Sequence, residues 1–159
     1  MFAQLILFKK FKTVTYYTVK CDDRKLSAAE DFFTRMNEVA GLNEQLERLV
    51  WWMMSVGNSY SGIEKNMLRF EDRCFALPSY ELRTENGKTI ELRLYCYWVN
   101  ENILILFNGD KKTKPKALDC QNVRKHFMQA QTWTNQIIRA GLEYTENEIA
   151  NTEEILIKC

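Results

Sequence analysis

The sequence has little net charge and no long hydrophobic run. Lys and Arg number 22 and Asp and Glu 21, so the formal net charge is only +1. This balance excludes a chain that binds polyanions through its overall charge. No apolar run approaches the ~18 residues typical of a membrane span, so we expect none. The apolar start, Met1 to Phe8, lacks the basic flank and cleavage site of a secretory leader, so no leader is expected either.

The cysteines are not spaced for a metal site or for a disulfide framework. They are five in number: Cys21, Cys74, Cys96, Cys120 and Cys159. No two of them lie two or three residues apart, as the ligands of a zinc knuckle do, and their number is odd. We therefore expect reduced thiols, no bound metal and a cytoplasmic location.

The composition is that of an ordinary globular chain with an uneven distribution of charge. Apolar residues make up 46% and charged residues 27% of the 159 residues, which excludes global disorder and allows one self-sufficient core. The basic residues of one stretch are Lys111, Lys112, Lys114, Lys116, Arg124 and Lys125. The acids that follow Gly141 are Glu143, Glu146, Glu148, Glu153 and Glu154. We therefore expect a single domain over residues 1–141 and an acidic C-terminal extension over 142–159.

Hydrophobic periodicity in the first third of the chain predicts a strand followed by two helices. Residues 12–20 are rich in Thr, Val and Tyr, which favours a strand. Ser27-Ala-Ala-Glu30 has the pattern of a capping box, so a helix should begin there and end near Gly41. A second helix is predicted over residues 43–56. So short a link between two amphipathic helices predicts an antiparallel hairpin.

The rest of the chain changes to the period of strands and then returns to that of a helix. Strands are predicted at residues 66–70, 80–84, 89–98 and 103–107. Asn86-Gly87 predicts a hairpin turn, Asn108-Gly109-Asp110 is expected to end the last strand, and a third helix is predicted from about residue 117 to 140. The fold class is therefore α+β: an N-terminal strand, a two-helix hairpin, an antiparallel sheet of about four strands and a C-terminal helix. We expect all the helices on one face of the sheet.

Alternation along residues 89–98 divides the polar from the apolar side chains. Leu92 and Leu94 share one face, which should meet the helix hairpin, whereas Arg93 and Tyr95 share the other. The second face is expected to be open. Arg83, on the preceding strand, has a position from which it can join that face. Together with the lysines that follow residue 110, these side chains predict one cationic groove.

Three segments of this region carry a resemblance to a known family. They are Tyr80-Glu-Leu-Arg83, Leu92-Arg-Leu-Tyr95 and Ile103-Leu-Ile-Leu-Phe-Asn-Gly-Asp-Lys-Lys-Thr113. In order and spacing they resemble the core of the RelE/ParE/HigB superfamily of bacterial toxins, and most nearly the phage-derived HigB-like toxins. Two positions depart from the family pattern. Asp110 stands where an aromatic residue is usual, and Asn108 stands where histidine is frequent.

The resemblance implies the toxin of a toxin–antitoxin system, which cleaves mRNA on the ribosome without metal or cofactor. It also implies a cognate antitoxin of the helix-turn-helix type as partner. The catalytic candidates are Arg83, Arg93, Tyr95 and Lys112, and the RNA-binding candidates are Lys111, Lys114, Lys116 and Tyr97. Cations of this kind hold phosphate oxygens and stabilise developing charge, and tyrosine stacks on unpaired bases.

The acid and base of such a reaction are not identified by the sequence. His126, the only histidine, falls in the predicted third helix, where a structural role is more usual. Glu91 and Asp110 are acids near the predicted groove. The alternating acids and arginines are equally typical of ion pairs on a solvated face.

Two other functions remain open. The fold can serve as a non-enzymatic binding module, as in the ParE branch that inhibits gyrase, or the chain can be an inactive homologue, which Asn108 and Asp110 favour. The acidic tail over residues 142–159 is expected to cover the basic groove or to mediate self-association.

Overall fold

A computed structural model describes the whole chain, Met1 to Cys159. Its strands are β1 (Phe2–Lys10), β2 (Thr15–Cys21), β3 (Arg69–Glu71), β4 (Cys74–Ala76), β5 (Leu82–Arg83), β6 (Thr89–Asn100), β7 (Ile103–Lys112) and β8 (Ile157–Lys158). Its helices are α1 (Ala28–Asn37), α2 (Asn43–Gly57) and α3 (Gln121–Ala140), with short 3-10 turns at Lys65–Met67, Ala117–Asp119 and Thr152–Glu154. The α+β class is confirmed. The third helix and its approximate end were also predicted correctly.

The eight strands form one mixed sheet in the order β3-β4-β6-β7-β2-β1-β8, and β5 pairs with β6. β2 and β7 run parallel, and every other pair is antiparallel. The prediction of an antiparallel sheet of about four strands was therefore wrong in number and in direction. β1 was not predicted, because its sequence is an apolar run without the regular alternation of polar and apolar residues that marks a half-buried strand. β8 has two residues, which is too short for a period to show.

The predicted capping box begins α1. Ser27 Oγ accepts a hydrogen bond from the Glu30 amide at 3.2 Å, and a Glu30 carboxylate oxygen lies 3.5 Å from the Ser27 amide nitrogen. α1 and α2 pack on the face of the sheet that carries Leu94 and Leu106. Each helix contacts the sheet as well as its neighbour, so the arrangement differs in detail from a four-stranded sheet with a helix hairpin.

α3 packs on the opposite face of the sheet. Its residues Ala130, Trp133 and Ile137 form one core with Tyr95 of β6 and Phe107 of β7. The expectation that all helices share one face was therefore wrong. Residues 103–107 of β7 are apolar at every position and all buried, as is usual for a strand that is covered on both sides.

The tail after Gly141 packs on the same face as α3. Ile149, Ile155 and Ile157 are buried in the core that α3 forms. The amide of Ile149 donates to the hydroxyl of Tyr17 at 3.0 Å, which ties the tail to β2. The predicted boundary at residue 141 stays a prediction. None of the helices has both the length and the hydrophobicity that a bilayer span requires.

A disulfide joins Cys21 to Cys159, with a Cα–Cα distance of 6.0 Å, so the expectation of reduced thiols was wrong for this pair. Their separation of 138 positions hides their proximity in the sequence. Strand pairing explains it, because Ala3 of β1 lies opposite Cys21 on one side and opposite Ile157 on the other. The remaining three cysteines are free and buried.

Candidate functional site

A cleft begins where the two parallel strands stop pairing. The β2–β7 register ends at Thr18 and Leu106, although both strands continue beyond these residues. Thr18 Oγ1 donates to the Leu106 carbonyl at 2.9 Å and accepts from the amide of Ala29 in α1 at 3.1 Å. The first turn of α1 is thereby fixed beside the diverging strands. In α/β sheets, crevices at the carboxyl ends of parallel strands are frequent ligand sites.

The cleft has a volume of about 880 Å³ and is bordered by the end of β2, by α1, by β7 and by α3. This volume lies within the range of about 300–1,000 Å³ that is usual for ligand sites. Its central polar side chains are Asp31, Arg35, Asn108, Asp110, Lys125 and His126.

Arg35 is the hub of a hydrogen-bond network that joins α1 to β7. Its Nε donates to Asp31 Oδ2 at 2.8 Å, and its Nη1 donates to Asp110 Oδ2 at 2.8 Å. Its Nη2 donates to Asn108 Oδ1 at 2.6 Å and to the Gly109 carbonyl at 2.7 Å. All three nitrogens of this guanidinium donate hydrogen bonds to acceptors within the protein, and two of those acceptors are carboxylates. Arg35 therefore positions its neighbours and is not a free cation for a ligand.

The same network sets the charge of Asp31. Its Oδ2 also accepts a hydrogen bond from Asn108 Nδ2 at 2.8 Å. Burial raises the pKa of Asp31, but the hydrogen bonds from Asn108 and Arg35 and the charges of Arg35 and His126 outweigh it, so the pKa is lowered. Asp31 is therefore a carboxylate at neutral pH.

His126 lies at the wall of the cleft formed by α3. Its side chain is buried, and its Nε2 has no hydrogen-bond partner. Burial, reinforced by the charges of Arg35 and Lys125, lowers the pKa of His126 to about 4, against the opposite effect of Asp110 and Asp31. The imidazole is therefore neutral at physiological pH, with one ring nitrogen able to accept a proton.

The predicted catalytic residue Arg93 lies elsewhere, in a buried ion-pair cluster. Its side chain is 0% exposed. Its Nη1 lies 3.2 Å from a carboxylate oxygen of Glu71, and its Nη2 is paired with Glu91. Glu91 in turn pairs with Arg69 at 3.2 Å. The expectation that Arg93 and Tyr95 project from an open face was wrong, because α3 covers Tyr95 and Arg93 is buried between Glu71 and Glu91.

Lys112 is the predicted site residue that the structure brings beside Arg93. Lys112 lies opposite Glu91 in the β6–β7 register. Burial and the charge of Arg93 lower the pKa of Lys112, although Glu71 and Glu91 act in the opposite direction. Lys112 remains partly exposed, so of these two cations it is the one that solvent reaches.

The two tyrosines of the predicted site are covered. Tyr95 is fully buried, its hydroxyl has no hydrogen-bond partner, and its ring packs edge-on against Phe127 of α3 at 5.8 Å. Burial raises the pKa of Tyr95. Tyr97 is half-buried, and burial and the neighbouring Tyr144 raise its pKa. The ring of Tyr95 is therefore not free to stack on a base, whereas Tyr97 remains partly exposed.

The remaining predicted residues are exposed but spread out. Arg83 lies in β5 opposite Thr89, several positions along the sheet from Arg93. Lys114 and Lys116 lie exposed in the loop between β7 and α3 and form no ion pair. Lys111 is partly exposed near the end of β7, opposite Leu92. The loop thus offers free cations, whereas Arg83 does not join them.

The sequence did not predict the cleft, because Asn108-Gly109-Asp110 was expected to end the strand, whereas β7 continues through it to Lys112. A bulge lies at this point: between the pairs Leu94–Gly109 and Cys96–Leu106, β6 advances by two residues and β7 by three. Bulges are frequent beside functional sites. The sequence does contain one indication of this network. Asp31 and Arg35 are spaced four residues apart, which places opposite charges side by side on one face of a helix.

Comparison of the chain with protein-family models, with curated proteins and with solved structures gives no match. The function is therefore inferred from the geometry described above and from the resemblance of residues 80–114.

Proposed function

We propose that this chain is a toxin of the RelE/HigB type that cleaves mRNA, with no metal in the cleavage step, and that the cleft between α1 and α3 is its catalytic site. The observation that carries the proposal is His126, a neutral imidazole on the wall of a ligand-sized cleft. A base of this kind is what cleavage through a 2′-hydroxyl requires. The sequence alone left that role unassigned.

In the proposed reaction the lysine loop holds the RNA and His126 begins the chemistry. Lys114 and Lys116 bind backbone phosphates, since both are exposed and unpaired. His126 takes the proton of a 2′-hydroxyl while that oxygen attacks the neighbouring phosphorus. The bond to the 5′-oxygen breaks and that oxygen takes a proton from water, while His126 returns its proton to solvent, which leaves a 2′,3′-cyclic phosphate and a 5′-hydroxyl end. A phosphate in the cleft raises the pKa of His126, because a nearby negative charge favours the imidazolium.

The order of the secondary-structure elements supports the family assignment. β2, α1, α2, β3, β5, β6, β7 and α3 follow one another in the order that the resemblance implies, and β1, β4 and β8 are additions to that set. The proposal includes the partners that the family implies. They are the ribosome, which presents the mRNA, and a helix-turn-helix antitoxin whose binding blocks access to the cleft.

A second candidate is a binding module without catalytic activity. The observation in its favour is the burial of Arg93 between Glu71 and Glu91, which removes the arginine that the family resemblance points to. In this alternative the cationic loop binds a protein or nucleic-acid partner, and the cleft residues stabilise the fold.

The two candidates are separated by replacing His126. Purified wild-type protein, His126→Gln and the control Gln129→Ala, which lies on the same helix and cleft, are incubated with mRNA in a translation extract and with free RNA. We expect cleavage by the wild type and the control, with cyclic phosphate ends, and a loss of about 10²- to 10⁴-fold in rate for His126→Gln. Folded wild-type protein that leaves both RNAs intact contradicts the enzyme and favours the binding module.

A further inference from the structure

We propose that Cys21, Asp23 and Cys159 form a binding site for a thiophilic divalent cation such as Zn²⁺ when the two cysteines are reduced. The two sulfur atoms and a carboxylate oxygen of Asp23 all lie within 4.8 Å of one another. Around a tetrahedral zinc ion, ligand atoms of these types lie about 3.3–3.8 Å apart, so small side-chain adjustments complete the site. The site does not depend on the proposed cleavage of RNA.

Strand pairing holds the three ligands in place. Cys21 ends β2, opposite Ala3 of β1, and the amide of Asp22 donates to the Phe2 carbonyl at 3.0 Å. On the other side of β1, the amide of Cys159 donates to the Met1 carbonyl at 3.3 Å. The backbone that carries the ligands is therefore fixed by the sheet before any metal binds. A site organised in this way loses little conformational entropy on binding.

The three proposed ligands are accessible to solvent, and none of them is held in an ion pair with a cationic side chain. Asp23 and Cys159 are exposed and Cys21 is partly exposed, so a cation reaches them from solvent. Asp23 takes part in none of the ion pairs of the protein. Two thiolates and a carboxylate suit Zn²⁺ better than Mg²⁺ or Ca²⁺, which prefer oxygen ligands alone.

Three protein ligands leave the fourth zinc position to water. All three residues border the cleft described above, so that position opens towards it. Structural zinc sites are usually closed by a fourth protein ligand, whereas three protein ligands and a water are typical of catalytic zinc sites.

The disulfide and the metal exclude one another, because both use the same sulfur lone pairs. A disulfide oxidant such as glutathione disulfide converts the metal-bound form to the bonded form. The two cysteine thiolates give up an electron pair and form their S–S bond. The S–S bond of the oxidant breaks, its two sulfurs take up the electrons and two protons, and Zn²⁺ is released.

The test is a zinc titration of the full chain in both redox states. Protein reduced with a phosphine, which does not bind Zn²⁺, is titrated with the metal in competition with a chromophoric chelator. The variants are Cys21→Ser and Asp23→Asn, with Asp22→Asn and Cys120→Ser as controls that keep the three ligands. Circular dichroism establishes that each variant is folded.

We expect one zinc ion per reduced chain and none per oxidised chain. Cys21→Ser should abolish this stoichiometric binding, Asp23→Asn should weaken it by about 10- to 100-fold, and both controls should bind as the wild type does. If Cys21→Ser does not fold, Asp23→Asn and the oxidised wild type still decide the question. Zinc binding that survives oxidation, equal effects of Asp22→Asn and Asp23→Asn, or no binding by the reduced chain overturns the proposal.

Discussion

Arg35 of α1 donates from Nη1 to Oδ2 of Asp110 in β7 at 2.8 Å, and this contact fixes the first helix on the strand that forms one wall of the cleft. Asp110 is also one of the two positions that depart from the family resemblance. An aspartate at this position therefore has a partner in this chain, and the departure has a structural reason. Each of the two residues therefore loses a charged hydrogen-bond partner when the other is replaced.

Replacing Arg35 with Ala should destabilise the fold by about 1–3 kcal/mol, since two partly buried carboxylates lose their hydrogen-bond donor. The control is Arg48→Ala, which breaks an exposed pair with Glu44 four residues away and should cost about 0.3–0.5 kcal/mol. Urea unfolding followed by circular dichroism measures both. Equal midpoints for the two variants would show that the Arg35 network adds nothing to stability.

Replacing Arg93 with Ala should be more costly, at about 3–5 kcal/mol, because it leaves the carboxylate of Glu71 buried without an ion-pair partner and leaves Glu91 paired with Arg69 alone. The double variant Arg93→Met with Glu71→Gln should be less destabilised than Arg93→Ala, because the carboxylate that pairs only with Arg93 is removed together with the arginine. The midpoints of urea unfolding compare the stability of these variants with that of the wild type. If Arg93→Ala unfolds at the wild-type midpoint while RNA cleavage disappears, the cluster acts in catalysis and not in folding.

The lowered pKa of His126, the only histidine, predicts how the stability of the fold depends on pH. In the unfolded chain its pKa is about 6.5. The folded pKa is lowered to about 4, so between these values the unfolded state binds a proton that the folded state does not. Stability should therefore fall as the pH falls from about 6.5 to 4, by at most about 3 kcal/mol.

Only one histidine resonance appears in an NMR titration, which makes this prediction easy to test. We expect a midpoint near 4 in the folded protein, and a flatter dependence of stability on pH in His126→Gln. A midpoint at or above the unfolded value contradicts the burial of a neutral imidazole.

The disulfide should stabilise the oxidised chain by about 2–4 kcal/mol, because it closes a long loop in the unfolded state. Unfolding in urea is compared with and without reductant, in the presence of a chelator. Three titratable thiols are expected in the denatured oxidised protein and five after reduction. Cys159→Ser should show no response to reductant, and five thiols before reduction would mean that the bond does not form.

Local patterns in the sequence predicted the local structure well. The Ser27 and Glu30 spacing placed the start of α1, and Asn86-Gly87 placed the turn between β5 and β6, where Gly87 adopts a positive φ of 75°. Both features depend on residues only a few positions apart, whose own conformational preferences are strong enough to determine the local backbone structure.

Features that depend on distant contacts were not predictable in the same way. Alternation put Arg93 and Tyr95 on one face, which holds, but it carries no information about what covers that face. Asn108-Gly109-Asp110 has the composition of a turn, yet β7 continues through it. Gly109 fits there because a Cβ at this position would collide with the backbone carbonyl of Arg93. The cleft brings together α1, β7 and α3, so its geometry exists only in the folded chain.

The packing of Ile149, Ile155 and Ile157 has a consequence for synthesis on the ribosome. The core under α3 includes these residues together with Ala3, Leu5 and Val19, so one of its sides is translated more than 120 residues before the other. A nascent chain that has not yet released residues 149–157 from the exit tunnel leaves that apolar surface exposed. Translation that stops short of these codons should give products that chaperones and proteases recognise, even though every strand and helix before them is present.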